Sequence, residues 1–121
     1  MEPLGPLQLR IMHYIWKQGP RTVHEVHAAF NAEPSVKPLA YTTFLTVMRN
    51  LAKREFLDQV KGARSHRFVP LIDEKTYVSA MIRRIRKDLC SGDVNVLLDY
   101  VAQDDEIDPI KRERIRSLLA G

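Results

Sequence analysis

Apolar positions recur at intervals of three and four residues along most of the chain, and one stretch breaks that rhythm. Leu9, Met12, Ile15 and Trp16 mark a first helix over residues 6–17. Pro6 suits its first turn, where no backbone N–H is needed, and Gly19-Pro20 ends it. Thr22-Val23-His24-Glu25 is a capping-box pattern, in which the Thr22 hydroxyl and the Glu25 carboxylate each satisfy an open N–H. The helix it starts carries Val23, Val26, Ala29 and Phe30 on one side and ends near Ala32, before a polar loop bracketed by Pro34 and Pro38. A third helix over 41–54 buries Phe44, Val47, Met48 and Leu51. Its opposite side, with Thr42, Leu45, Thr46, Arg49, Asn50 and Lys53, repeats at the same spacing and forms a coherent polar face with one apolar member.

The period then shortens. Residues 56–60 and 65–69 are partly alternating and rich in aromatic and β-branched side chains, and Lys61-Gly62-Ala63-Arg64 between them holds a turn glycine. They read as a β-hairpin closed by Pro70. After it the helical period returns. Asp73 caps a helix with Tyr77, Val78, Met81, Ile85 and Leu89 on one side, and Ser91-Gly92-Asp93 breaks it. Val94, Val96, Leu97, Leu98, Tyr100 and Val101 give a short helix that is apolar nearly all round. Residues 103–106 form an acidic loop. Asp108-Pro109 opens a last helix with Ile110, Ile115, Leu118 and Leu119 as its apolar members. The expected fold is mainly α with a small β-hairpin: an N-terminal winged helix-turn-helix domain over 1–70 and a C-terminal helical dimerisation region over 71–121.

Charge sharpens this picture. The net charge is +4, but residues 1–70 hold 10 Lys and Arg against 5 Asp and Glu, and residues 71–121 hold 9 against 10. A basic excess concentrated on the third helix and hairpin is the footprint of a polyanion partner. In a winged helix the third helix enters the major groove and the hairpin reaches flanking backbone. The expected DNA contacts are Tyr41, Thr42, Thr43, Leu45, Thr46, Arg49, Asn50 and Lys53 on the helix, with Lys61, Arg64, His66 and Arg67 on the hairpin. Arg49 and Asn50 have the paired donor and acceptor geometry that reads guanine or adenine, while the lysines and hairpin arginines suit phosphates. Leu45 fits either a thymine methyl or a satellite core contact, and His66 either a phosphate or the sheet.

The C-terminal segment is too short for a good core of its own, so a second copy is the economical cover for it. Its expected dimer contacts are Tyr77, Met81, Ile85, Leu89, Val94, Leu97, Leu98, Tyr100, Val101, Ile115, Leu118 and Leu119. Little points to an enzyme. The lone Cys90 rules out an intramolecular disulfide and a multi-cysteine metal site, leaving a small buried residue or an intermolecular disulfide switch. His24 and His27 are three apart with no supporting ligand, and His-Glu-Val-His lacks the four-residue spacing of the zinc-protease motif. Neither a phosphate loop nor a nucleophile-base pair stands out, and no cofactor or metal is expected. No apolar run approaches the roughly 18 residues of a membrane span, and the start of the chain does not read as a signal peptide, so a cytoplasmic protein is expected.

Several of these stretches together resemble one family. They are Ile11-Met12-His13-Tyr14-Ile15-Trp16 before Gly19-Pro20, Thr22-Val23-His24-Glu25-Val26, Leu39-Ala40-Tyr41-Thr42-Thr43-Phe44-Leu45-Thr46-Val47-Met48, Leu51-Ala52-Lys53-Arg54, and Arg64-Ser65-His66-Arg67-Phe68 with Pro70. The chain is similar in these to the penicillinase and methicillin-resistance repressors, grouped with copper-responsive relatives (the BlaI/MecI/CopY family). The resemblance implies a homodimer that represses promoters by binding inverted repeats on double-stranded DNA, with dimer contacts in the C-terminal helices. It also implies a membrane-bound sensor protease as upstream partner and release by cleavage. In the penicillin-responsive members the cut falls at an Asn-Phe pair in the apolar helix, where this chain has Asp99-Tyr100. The cysteine-rich metal tail of the copper-responsive branch is absent. Two other readings of the same residues stay open: a winged-helix module whose basic face meets an acidic protein, and a regulator sensing a small molecule between its two halves.

Overall fold

A computed structural model describes residues 1–35 and 37–121; in the loop between Pro34 and Pro38, Val36 lies outside the described residues. The elements run α1 (Pro6–Gln18), α2 (Val23–Asn31), α3 (Tyr41–Lys53), β1 (Leu57–Lys61), β2 (His66–Pro70), α4 (Glu74–Leu89), α5 (Val94–Ala102) and α6 (Pro109–Ala120). This is the winged helix-turn-helix order, mainly helical with a single small antiparallel hairpin among the described residues.

The local signals act as their chemistry requires. Pro6 is in the first turn of α1, and the Gln8 side chain reaches back to accept from the Gly5 N–H at 2.9 Å. Gly19, at φ +88°, ends α1 in a conformation that costs glycine least. At α2 the Glu25 N–H donates to the Thr22 hydroxyl at 3.1 Å, and the Thr22 N–H donates to Glu25 Oε1 at 3.0 Å, completing the capping box. Asp73, Asp93 and Asp108 each accept a backbone N–H at the start of α4, α5 and α6.

The hairpin pairs Leu57 with Pro70 through to Lys61 with His66. Both strands therefore lie one residue later than the alternation predicts. The cause is the exit from α3: Glu55 takes φ +63°, and the Phe56 N–H turns back to the Leu51 carbonyl at 2.9 Å. Phe56 thus closes the helix before the strand begins. Gly62 is required in the turn, because a Cβ there would run into the Ser65 carbonyl oxygen. A further pairing joins Arg21 to Phe68, with the Phe68 N–H donating to the Arg21 carbonyl at 2.8 Å. This fixes the wing against the entry to α2.

The chain divides into two compact units, Met1–Tyr77 and Val78–Gly121, with the division inside α4. The first unit is built around Ile11, Met12 and Ile15 of α1, Val23 and Val26 of α2, Phe44, Met48 and Leu51 of α3, and Phe56, Leu57 and Phe68 of the hairpin region, all buried. Ile11, outside the periodic set read for α1, is fully buried, whereas Leu9 and Trp16 are only half-buried. The unit extends past Pro70 because Trp16 donates from Nε1 to the Ile72 carbonyl at 2.8 Å, and Tyr77 packs on Trp16 and Phe56. The Tyr77 hydroxyl also accepts from the Leu4 N–H at 2.9 Å. Tyr77, expected among the dimer contacts, is therefore core of the first unit.

In the second unit α5 packs on α6, and Arg116 Nη2 donates to the Ala102 carbonyl at 3.1 Å. Its buried residues among those described are Cys90 and Ala102, both small. Ser91 at φ +51° and Gly92 at φ +81° turn the chain from α4 to α5, held by Arg86 Nη1 donating to the Gly92 carbonyl at 2.7 Å.

Candidate nucleic-acid interface

The polar face of α3 is as free as its periodicity implies. Thr42, Thr46, Arg49, Asn50 and Lys53 are all exposed, while Phe44, Met48 and Leu51 on the other side are buried. Thirteen residues of α-helix measure about 20 Å, enough to cross a major groove about 12 Å wide. Ala40 precedes the helix without offering a side-chain cap. The Thr43 N–H closes on the Ala40 carbonyl at 3.1 Å, and the positive end of the helix dipole favours an anion there.

The start of α3 is positioned from α2. The Asn31 amide clamps the loop by donating to the Leu39 carbonyl at 2.9 Å and accepting from the Leu39 N–H at 3.1 Å. Behind the helix, Phe44 sits edge-on to Phe30 and His27. At its far end, Arg54 lies over the Phe56 ring and donates to Gln8 Oε1 and the Glu2 carbonyl, pinning α3 to the beginning of the chain.

Between α2, α3 and the wing lies an open cleft of about 270 Å³. Its polar lining is His24, Tyr41, Arg49, Gln59, Arg64, Ser65 and His66, and Val23, Leu45 and Phe68 form its apolar floor. Among the described residues, no carboxylate lines it. Glu25, one residue from His24, is committed to the capping box and lies 3.8 Å from Arg21 Nε. The Thr22 backbone N–H holds the Glu25 carboxyl below the usual range, aided by the Thr22 hydroxyl and the charges of Arg67 and Arg21.

Of the expected contact residues, the structure gathers Tyr41, Leu45, Arg49, Arg64 and His66 around this cleft. Thr42, Thr46, Asn50 and Lys53 continue the exposed face, with Thr43 half-buried at its edge. Lys61 is exposed at the end of β1. Arg67 departs from the group. Alternation along β2 turns it away from His66 and Phe68, and its Nη1 donates to the Pro20 carbonyl at 3.4 Å. Leu45 is half-buried in the cleft wall.

His24, Gln59 and Ser65 are cleft residues that periodicity does not single out. They join it through the Arg21–Phe68 pairing and the hairpin register, which are contacts between distant positions. His24 and His27 spend their rings on aromatic neighbours: His24 stacks on Tyr41 at 4.5 Å, and His27 meets Tyr41 and Phe44 edge-on. No group of three or more His, Cys, Asp or Glu side chains placed to hold a metal ion occurs among the described residues. No helix among them is long and apolar enough to cross a membrane.

The comparisons with known proteins agree with this geometry. The family model for the penicillinase repressor matches residues 4–121. The transcriptional regulator BlaI of Mycobacterium tuberculosis, in strains CDC 1551 and H37Rv, is 32% identical over 123 residues, spanning 98% of this chain and 86% of the relative. A match that spans both units of this winged-helix chain places it in the penicillinase repressor family of transcriptional regulators.

Proposed function

We propose that this chain acts as a homodimeric repressor in the cytoplasm, binding an inverted-repeat operator on double-stranded DNA through α3 and the wing. The observation that carries the reading is the continuity of the exposed α3 face with a cleft bearing Arg49, Arg64 and two imidazoles and no carboxylate. Short hydroxyl and amide side chains beside Arg49 favour base reading over a simple charge patch, which would need only Lys and Arg.

Dimerisation is supported by what α4 leaves uncovered. Val78, Ile82, Ile85 and Leu89 are 43%, 50%, 40% and 78% exposed. Their spacing of four, three and four is the seam of a coiled coil. Val78 and Ile82 replace Tyr77 in the expected set, while Met81, Leu97, Leu98, Val101, Ile115 and Leu119 are half-buried and Val94, Tyr100 and Leu118 exposed. A unit whose buried residues are two small side chains gains most from a second copy.

Release from the operator is assigned to proteolysis in the C-terminal region by a membrane-bound sensor protease. Asp99 and Tyr100 are both exposed on α5, so the bond between them is reachable once that short helix opens locally.

A salt-series fluorescence anisotropy titration tests the proposal. The probe is the intergenic duplex upstream of the protein's own gene, with a scrambled duplex and Arg49→Ala beside it. Arg49→Ala is expected to weaken specific binding by about 1–3 kcal/mol, or about 5- to 150-fold. Equal, weak and salt-erased binding to both duplexes would refute operator reading and favour a protein partner for the basic face.

A further inference from the structure

The cleft holds a residue that neither the recognition helix nor the wing supplies. His24 comes from the first turn of α2, is exposed, and shares the lining with Arg49, Arg64 and the second imidazole, His66. Its ring is held by packing. It stacks on Tyr41 at 4.5 Å with 26° between the planes, and Tyr41 is braced edge-on by His27 at 5.8 Å. Among the described residues, neither His24 nor His66 hydrogen-bonds through its ring nitrogens, so both imidazoles keep their polar atoms for a ligand.

The charges around them come from every element of the cleft. From α3 there are Arg49 and the Tyr41 hydroxyl, from the wing Arg64 and His66, and from α2 His27 beneath the Tyr41 ring. The neighbouring acid, Glu25, is engaged by Thr22 and Arg21 and does not line the cleft. In the free protein the two imidazoles share the cleft lining with Arg49 and Arg64. A phosphodiester entering the cleft brings negative charge beside both imidazoles, which favours their protonated form.

We infer that His24 is a phosphate-contact residue presented by α2, and that with His66 it couples operator binding to proton uptake. The inference rests on the reading of this cleft as a DNA-binding surface. Imidazole is the side chain whose charge ordinarily changes between about pH 5 and 8, so binding tightens on acidification across that range. His13 supplies an internal control, because its ring lies 3.7 Å from Glu74 Oε1 and not in the cleft.

The experiment is anisotropy with the full chain on the operator duplex at pH 8.0 and 6.0 and constant salt. Each linked proton contributes up to about tenfold in affinity per pH unit, so the wild type should bind about 10- to 100-fold tighter at pH 6.0. His24→Gln should lose about three- to tenfold of that gain, while His13→Gln keeps all of it. His24→Arg, with a fixed charge, should bind at pH 8.0 at least as tightly as the wild type does there, with a flattened pH response. An unchanged pH profile in His24→Gln, with operator still preferred over scrambled DNA, would overturn the role of His24 and leave the repressor reading intact. Absence of operator preference at both pH values would overturn both.

Discussion

Replacing Phe44 by Ala tests the claim that α3 is held in place by its buried side rather than by its polar one. Phe44 is fully buried, with Phe30 edge-on at 5.5 Å and His27 at 5.6 Å. Truncating a buried Phe to Ala costs about 3–5 kcal/mol from lost transfer energy and the cavity left behind. The first unit spans Met1–Tyr77, and a domain of that size has a total stability of about 4–12 kcal/mol. The loss is thus a large share of the whole, and at about 4–8 °C per kcal/mol it lowers Tm by about 12–40 °C. Urea unfolding followed by tryptophan fluorescence reads this directly, since Trp16 is the single tryptophan and lies within the first unit. With m near 2 kcal/mol/M, the midpoint should fall by about 1.5–2.5 M. A fall below about 0.5 M at unchanged m would refute the assignment of Phe44 as the anchor of α3.

Four further outcomes are expected. Thr22→Ala removes the hydroxyl half of the α2 capping box and should cost about 0.5–2 kcal/mol by the same urea assay. The Glu25 carboxyl is held below its usual range by the Thr22 N–H, so it contributes stability above the unfolded carboxylate range and loses it as pH falls through the folded value. Glu25→Gln should therefore flatten the acid limb of the urea midpoint against pH, and an identical limb would remove Glu25 from that linkage. Lys61→Ala and Arg64→Ala should weaken binding to every duplex alike and reduce the slope of log K against log salt, by about one phosphate contact each. A sequence-selective loss would mean that the wing reads bases. Ile82→Glu places a charge in the exposed α4 seam and should convert a dimer to a monomer in sedimentation velocity; a persisting dimer would exclude that seam as the interface.

Much of the molecule was legible along the chain because its cues are local. The Thr22–Glu25 capping box, Pro6, Gly19 and the Asp73, Asp93 and Asp108 caps act within a turn of where they stand. The two faces of α3 follow from a period of 3.6 residues, so Phe44, Met48 and Leu51 separate from Thr42, Thr46, Arg49 and Asn50 without reference to the rest of the fold. The motifs carrying the family resemblance are likewise contiguous.

What required tertiary structure was every consequence of contact between distant residues. The Arg21–Phe68 pairing joins positions far apart in the chain, and it brings the start of α2 beside the wing, making His24 a cleft residue. The left-handed Glu55 and the returning Phe56 N–H moved both strands one residue along, a shift set by how α3 ends and not by strand propensity. Tyr77 shares its helical period with the α4 stripe, and only its packing on Trp16 and Phe56 assigns it to the first unit. With Tyr77 withdrawn, the uncovered seam of α4 becomes Val78, Ile82, Ile85 and Leu89. Periodicity fixes which residues share a face, because that is a property of the helix alone. Which neighbour covers the face depends on the path of the whole chain.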